Sequence, residues 1–272
     1  MQNIIQRIKV FIGEKDKRKG LEDRFWSRTS RKIPSIDSFL TEANDELKAS
    51  YRGQCAELFF SNKGEVINKW LHYFSIYDEV MTPYIGTGVR MLEIGVFRGG
   101  SLKLWRNFLG KDAIIFGVDV NPECAVHDSH HGKVRIGSQD DPKFLESVVA
   151  EMGGVDIVID DGSHIASHQR ISFDVLFPLL SEGGIYIIED LHTSYWPSWE
   201  GGLRRRGTAI EFLKIKIDEM HKHYFEIGSN EEAKMTSIEC IQFFDSIAVV
   251  RKRKQRPRCY TFVPSLENNG SN

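Results

Sequence analysis

The sequence predicts a doubly wound α/β fold on a mostly parallel sheet, preceded by a helical region. Three observations predict it. Short apolar runs alternate with helix-like segments from about residue 86 onward, the pattern of a parallel sheet covered on both faces. Before that point the apolar residues recur at three and four, as on amphipathic helices. Two of the apolar runs, DIVIDDGSHI at 156–165 and GGIYIIEDLHTSYW at 183–196, end on clustered acids, and the first sets a histidine beside its cluster.

The elements follow in order. IDSFLTEANDEL and INKWLHYFSIYDEVMTPY carry the helical spacing, so residues 1–85 read as an N-terminal helical region; its charge-rich start is a loose helical arm, and Pro34 breaks the path before 35–39. The strands expected downstream are RMLEIGV, AIIFGVDV, KVRIGS, VDIVIDD and GGIYIIED. Between them SLKLWRNFLG, DPKFLESVVAEMG and SHQRISFDVLFPLLSEGG read as helices. After Gly207 a long helix, TAIEFLKIKIDEMHKHYF, precedes SIECIQFFDSIAVVRKR, a pair of closing strands turning at FFDS. Residues 86–265 thus make the α/β domain and 266–272 a polar tail.

Length and composition exclude several classes. The 272 residues suffice for one sizeable domain with an appended piece, and 41% hydrophobic with 27% charged residues is ordinary for a globular protein. A formal charge of -2 argues for no nucleic-acid partner. The four cysteines are far apart and form no CxxC pair, so neither a zinc site nor a disulfide framework is expected. No apolar run spans a bilayer, and the start, MQNIIQRIKVFIGEKDKRKG, has its short apolar core broken by Arg7 and Lys9. A soluble cytoplasmic protein without a membrane partner is expected. RKRKQRPR at 251–258 reads as a solvated strand end. Arg204, Arg205 and Arg206 either face a substrate or open a helix on the surface.

In open α/β sheets ligands bind outside the carboxyl ends of the strands. The first strand ends in LEIGVFRGGS, where Gly95, Gly99 and Gly100 let backbone approach a ligand and the next helix offers free N–H groups. Phe97 stands where a dinucleotide fingerprint wants its second glycine, which disfavours NAD. Asp119, at the tip of the second strand, is placed to accept hydrogen bonds from ribose hydroxyls. Gln139, Asp140 and Asp141 lie near an adenine edge, although Asp140 or Asp141 can equally cap the helix beginning at Pro142. Together these features favour a nucleoside cofactor, and S-adenosylmethionine fits better than NAD.

Carboxylates at neighbouring strand tips repel one another unless a cation lies between them. Oxygen donors without cysteine favour Mg²⁺, with Mn²⁺ or Ca²⁺ possible, and Asp161, Glu189 and Asp190 are the expected metal ligands. Asp160 points away from Asp161 in an extended chain, toward the cofactor or as a cap. His164 is the expected general base, since an imidazole at neutral pH can take a proton from an attacking hydroxyl; His168, one turn on, is the alternative. HTSYWPSWEGGLRRR reads either as a mobile lid with aromatic faces for a sugar ring or as a long surface loop.

EIGVFRGGS, DVNPEC, IGSQDDPKFL, DIVIDDGSHI and GGIYIIEDLHTSYW, in that order, resemble the metal-dependent sugar O-methyltransferases of macrolide biosynthesis, which are class I S-adenosylmethionine enzymes. SNKGEVINKWLHYFSIY loosely resembles a lysine-glycine and aromatic segment upstream in such enzymes. The resemblance implies a Rossmann-like methyltransferase sheet with an antiparallel closing strand. It implies Mg²⁺ on Asp161, Glu189 and Asp190, His164 as base, and Glu93, Gly95, Gly99, Ser101, Asp119 and Gln139 around S-adenosylmethionine. Ser138 stands where many relatives carry an acid. A small-molecule glycoside or diol is the implied acceptor, and a homo-oligomer the implied assembly. The alternatives are a catechol or phenol O-methyltransferase, a relative of cephalosporin-hydroxylation proteins, and a cofactor-binding protein without catalysis.

Overall fold

A computed structural model describes residues 36–221, 224, 237–253 and 259–262. The expected N-terminal arm, Pro34, most of the basic run and the polar tail lie outside the described residues. The chain divides into two compact units, Met1–Thr41 and Glu42–Asn272. Of the first, the described part includes a 3-10 turn at Ile36–Phe39. The strands and helices described next belong to the second.

The strands are β1 Arg90–Ile94, β2 Ile114–Asp119, β3 Lys133–Ile136, β4 Val155–Asp160, β5 Leu180–Ile188, β6 Ile238–Phe244 and β7 Ile247–Lys252. They form one sheet in the order β3-β2-β1-β4-β5-β7-β6. Strands β1 to β5 run parallel, and β7 is antiparallel to both β5 and β6. The mostly parallel, doubly wound sheet with an antiparallel closing strand is therefore observed. The order reverses at β1 and β4, and the carboxyl ends of those strands flank the crevice where such sheets bind ligands.

The helices are α1 Asp45–Ser50, α2 Gln54–Phe60, α3 Tyr73–Met81, α4 Gly100–Leu109, α5 Pro142–Met152, α6 Ala166–Leu179 and α7 Ala209–His221. Helix α5 shows how local chemistry sets the bounds. The Asp141 side chain accepts from the Lys143 and Phe144 N–H groups, Pro142 opens the helix, and Gly153 closes it in a left-handed conformation. Asp141 is thus the cap.

Three expected elements differ. The amphipathic stretch at 36–47 is not one helix; Asn44 accepts from the Leu47 N–H and starts α1 afresh. The helix expected from Ile67 begins only at Tyr73, and the preceding residues carry Lys69 into the interior. Strand β5 begins at Leu180 rather than at Gly183, because Leu180 pairs with Val155 before a register shift restores the pairing at Ile157 and Ile185.

Side chains alternate along each strand, so the sheet carries two cores. Met91, Ile157, Ile159, Ile185 and Ile187 pack with Tyr73, Tyr77, Trp105 and Phe108 of α3 and α4. Leu92, Ile94, Val158, Tyr186 and Ile188 pack with Leu145, Phe173, Leu176 and Leu213 of α5, α6 and α7. The same parity directs Glu93 to the first face, where Trp105 meets it, and Asp160 to the second, where Ser172 meets it. At the far end of β7, Lys252 donates to the Pro178 and Leu180 carbonyls at 2.6 Å each and Arg253 to the Ile238 carbonyl at 3.1 Å. The start of the basic run is thus half-buried and bonded to backbone, not simply solvated. Among the described residues no helix is long and apolar enough to cross a membrane.

Candidate active site

The glycine turn follows β1. Gly95 has a φ of +98°, and a Cβ there would collide with the Asp161 carbonyl, so only glycine lets the ends of β1 and β4 approach this closely. The Asp161 N–H donates to the Ile94 carbonyl at 3.0 Å across the same approach. Gly99 caps α4 in a left-handed conformation against the ring of His127. Asp119, half-buried at the tip of β2, accepts from the Val96 and Phe97 N–H groups at 3.0 Å each and from the Asn121 N–H at 2.8 Å. Its carboxylate fastens the turn to β2.

Behind this rim stand buried braces. Glu93 accepts from the Ser101 hydroxyl at 2.7 Å and from the Trp105 indole at 2.9 Å. Asp160, at 0% exposure, accepts from the Ser172 hydroxyl at 2.5 Å, the Tyr186 hydroxyl at 2.9 Å and the Gln139 amide at 3.1 Å. Gln139 in turn accepts from the Ser163 N–H at 2.6 Å. Burial pushes the Asp160 and Glu93 carboxyls above the ordinary carboxylate range, and their hydrogen-bond donors pull them part of the way back. Of the residues expected around a cofactor, Gly95, Gly99 and Asp119 shape the turn, and Glu93, Ser101, Gln139 and Asp160 hold the surrounding scaffold.

Asp161 follows β4 and Asp190 follows β5, the latter in a left-handed conformation with φ +56° that aspartate adopts more readily than most residues. His164, also left-handed at φ +57°, brings its Nε2 to 3.5 Å from Asp190 Oδ2 and 3.9 Å from Asp161 Oδ1. One ligand atom from each of Asp161, His164 and Asp190 lies within 4.8 Å of the others. His164 Nδ1 is buried without a hydrogen-bond partner. The carboxylate oxygens of Asp161 and Asp190 suit a hard divalent ion such as the expected Mg²⁺, with the His164 imidazole beside them. His168 is turned elsewhere, with Nδ1 3.0 Å from the Ser163 hydroxyl and Nε2 3.4 Å from Asp140.

Glu189 lies on the first face of the sheet, 1% exposed. Its carboxylate accepts from the Tyr77 hydroxyl at 2.6 Å and from Lys69 Nζ at 3.0 Å to each oxygen. Lys69 also donates to Asp161 Oδ2 at 2.5 Å and stands 3.8 Å from Glu93. Burial alone would lower its pKa, but Asp161, Glu189 and Glu93 outweigh that and hold Lys69 well above the ordinary lysine value, so it keeps its proton. Lys69 is the site residue that sequence reasoning missed. Its one signal was indirect: the converging acids demanded a cation.

Past the acids, Leu191–Tyr195 and Pro197–Trp199 form 3-10 turns. The His192 ring meets Trp196 at 4.7 Å and Trp70 at 5.5 Å, and burial lowers its pKa. Arg204, Arg205 and Arg206 are exposed.

The strand order and the acid-lined crevice define a Rossmann-like fold of the methyltransferase type. The chain matches the MycE methyltransferase from the mycinamycin biosynthetic pathway, in complex with Mg and SAH, with a TM-score of 0.66 and 33% identity over 75% of this chain and 56% of that one. In sequence it is similar to sugar O-methyltransferases. It is 34% identical over 198 residues to the 8-demethyl-8-alpha-L-rhamnosyl tetracenomycin-C 2'-O-methyltransferase of Streptomyces olivaceus, covering 68% of this chain and 52% of that protein. It is 35% identical over 213 residues to the mycinamicin VI 2''-O-methyltransferase of Micromonospora griseorubida, covering 72% of this chain and 52% of that protein. The chain spans about half the length of these curated relatives. No family model matches it.

Proposed function

We propose that this protein is a Mg²⁺-dependent O-methyltransferase that moves a methyl group from S-adenosylmethionine to a hydroxyl of a sugar or glycosylated natural product. The observation that carries the reading is the convergence of Asp161, His164 and Asp190 beside the Gly95 turn. Its likeness to sugar O-methyltransferases, one of them described in complex with Mg, SAH and mycinamycin VI, supports the acceptor class and both cofactors. Assembly as a homo-oligomer is part of the proposal.

The Gly95–Gly99 turn and Asp119, at the carboxyl ends of β1 and β2, would hold S-adenosylmethionine, with Asp119 toward its ribose. Asp161, Glu189 and Asp190 would hold the divalent ion. A bound ion would supply positive charge that lowers the pKa of one of two neighbouring acceptor hydroxyls. His164 takes the proton from that hydroxyl. The oxygen forms a bond to the methyl carbon as the carbon–sulfur bond breaks, and the sulfonium leaves as neutral S-adenosylhomocysteine. Holding two substrates in line offsets about 7–11 kcal/mol of the barrier, and a base adds about 10²–10⁴-fold, so positioning dominates.

The test is a methyl-transfer assay with radiolabelled S-adenosylmethionine, Mg²⁺ and a panel of simple glycosides and catechols, read by product mass. Methylation of a glycoside is expected, with His164→Asn losing about 10²–10⁴-fold in rate while binding the cofactor as before. Failure to bind S-adenosylmethionine refutes the reading, and methylation of catechols alone refutes the sugar acceptor.

A further inference from the structure

We propose that Glu200 is a positioning residue for His164: reaching over from the loop after β5, it caps helix α6 and so fixes the short turn that carries the base. The inference rests on the reading of His164 as general base and names the side chain that aims it.

His164 stands on the turn 162–165, between Asp161 and α6. Its backbone is left-handed at φ +57°, and among the described residues its Nδ1 has no hydrogen-bond partner. The ring therefore takes its aim from the backbone beneath it. At one end the turn is fixed to the sheet: the Ser163 N–H donates to Gln139 Oε1 at 2.6 Å, and the Asp161 N–H to the Ile94 carbonyl at 3.0 Å. The other end runs into the N-terminus of α6, where the first N–H groups need an acceptor from outside the helix. Ile165 holds the N-cap position and has no side-chain acceptor to give. Glu200 supplies one instead, its Oε2 accepting from the Ser167 N–H at 2.9 Å. A carboxylate at this end also meets the positive pole of the helix. The Thr193 hydroxyl, 2.7 Å from the Asp190 carbonyl and 3.3 Å from the His164 carbonyl, brings the same loop against the turn at a second point.

The loop is folded so as to deliver Glu200. The Gly201 N–H donates to the Trp196 carbonyl at 2.9 Å, and the Gly202 N–H to the carbonyl of buried Ser194 at 2.8 Å. A Cβ at Gly201 would stand 2.4 Å from the Thr193 carbonyl oxygen and from the Trp196 nitrogen, so only glycine lets the chain double back here. Glu200 is itself left-handed, at φ +61°, where the 3-10 turn Pro197–Trp199 ends. Its carboxylate thus springs from a fixed backbone and bonds to α6, one turn from the base. The same segment that follows the acids of β5 therefore braces the histidine that follows β4. A base displaced by about 1 Å can lose about 10²-fold in rate, so a cap at this place bears on the reaction and not only on the helix.

The test compares Glu200→Ala with Glu200→Gln in the full chain. Glu200 is exposed, so neither change opens the core, and glutamine keeps an oxygen that can accept from the Ser167 N–H where alanine does not. The first arm reads hydrogen exchange of the segment 162–168 by mass spectrometry with S-adenosylhomocysteine present. Glu200→Ala is expected to exchange about fivefold faster or more, the factor that a lost cap amounts to, and Glu200→Gln about as the wild type does. The second arm reads kcat and KM for methyl transfer to a glycoside. Glu200→Ala is expected to lose about tenfold to 10²-fold in kcat with both KM values unchanged, and Glu200→Gln to restore most of it. Exchange that stays unchanged in Glu200→Ala overturns the proposal, because the turn is then held without the cap. Faster exchange with kcat unchanged overturns it also and leaves Glu200 a merely structural residue. A kcat loss as large in Glu200→Gln as in Glu200→Ala makes charge, not the cap, the cause, and overturns it as well. A wild type that methylates no acceptor refutes the methyltransferase reading and the role of Glu200 in it together; any of the variant failures alone refutes only this inference.

Discussion

Tyr77→Phe removes one oxygen from the buried end of the site and leaves the ring in place. The Tyr77 hydroxyl donates to Glu189 Oε1 at 2.6 Å, and its ring is fully buried, 5.0 Å from Trp105 and 6.2 Å from Tyr73, both edge to face. Those ring contacts survive the change. What is lost is a hydrogen bond to a buried carboxylate, and such bonds to charged groups contribute about 1.5–3 kcal/mol. For a chain of this size that corresponds to a fall in Tm of roughly 3–10 °C. Thermal and urea melts followed by near-ultraviolet circular dichroism measure it, and an unchanged urea slope shows that the folded state has not loosened. A loss under about 0.5 kcal/mol, the size of an ordinary surface change, refutes the reasoning. It would mean that Lys69 alone satisfies Glu189, and that the helix α3 hydroxyl only happens to face it.

Two further changes probe the frame of the site. Gly95→Ala puts a Cβ into the Asp161 carbonyl at a φ of +98°; we expect strain of about 1–3 kcal/mol and loss of S-adenosylmethionine binding, read by calorimetry, and binding as in the wild type would refute the close-approach argument. Asp156→Asn acts at the other end of the sheet, where the carboxylate accepts from the Arg90 N–H and Nε at 2.9 Å each and from its terminal nitrogen at 2.7 Å. Burial would raise the Asp156 pKa, but its bonds from Arg90 and Ser181 outweigh that and hold it below the ordinary value. A depressed pKa contributes stability that is present above the ordinary aspartate range and is lost as pH falls through the folded value. The variant should therefore be less stable by about 1–2 kcal/mol at neutral pH, with the gap to wild type closing in acid melts. A gap that widens toward acid contradicts the assignment.

Much of the fold was legible because one physical signal repeated. Strands β1, β2 and β4 are apolar runs, β2 and β4 ending in an aspartate, and each lies where the pattern indicated. Helix α5 carries its own start and stop in Asp141, Pro142 and Gly153. Strand β5 was legible from Gly183 but not from Leu180, because the residues between them look like a turn and the pairing of Leu180 with Val155 is a long-range event. The break at Asn44 was hidden by periodicity, since an asparagine can sit on the polar face of a helix or start a new one.

The site divides the same way. Asp161, Glu189 and Asp190 could be read as one acidic group, with His164 beside Asp161, because the carboxyl ends of neighbouring parallel strands converge in sheets of this kind. Lys69 was not, because a lysine in an amphipathic stretch reads as a solvated face and nothing local says that it turns inward. The electrostatic argument from the sequence was sound in form: clustered carboxylates need positive charge among them. It assigned all of that charge to a bound ion. The chain supplies part of it from residue 69, twenty-four positions before Glu93 and far from either acidic cluster in sequence. A bound ion as sole counter-charge would make the fold of the site depend on metal concentration. An ammonium on the chain removes that dependence: Glu93 and Glu189 stay compensated whether or not a divalent ion is present.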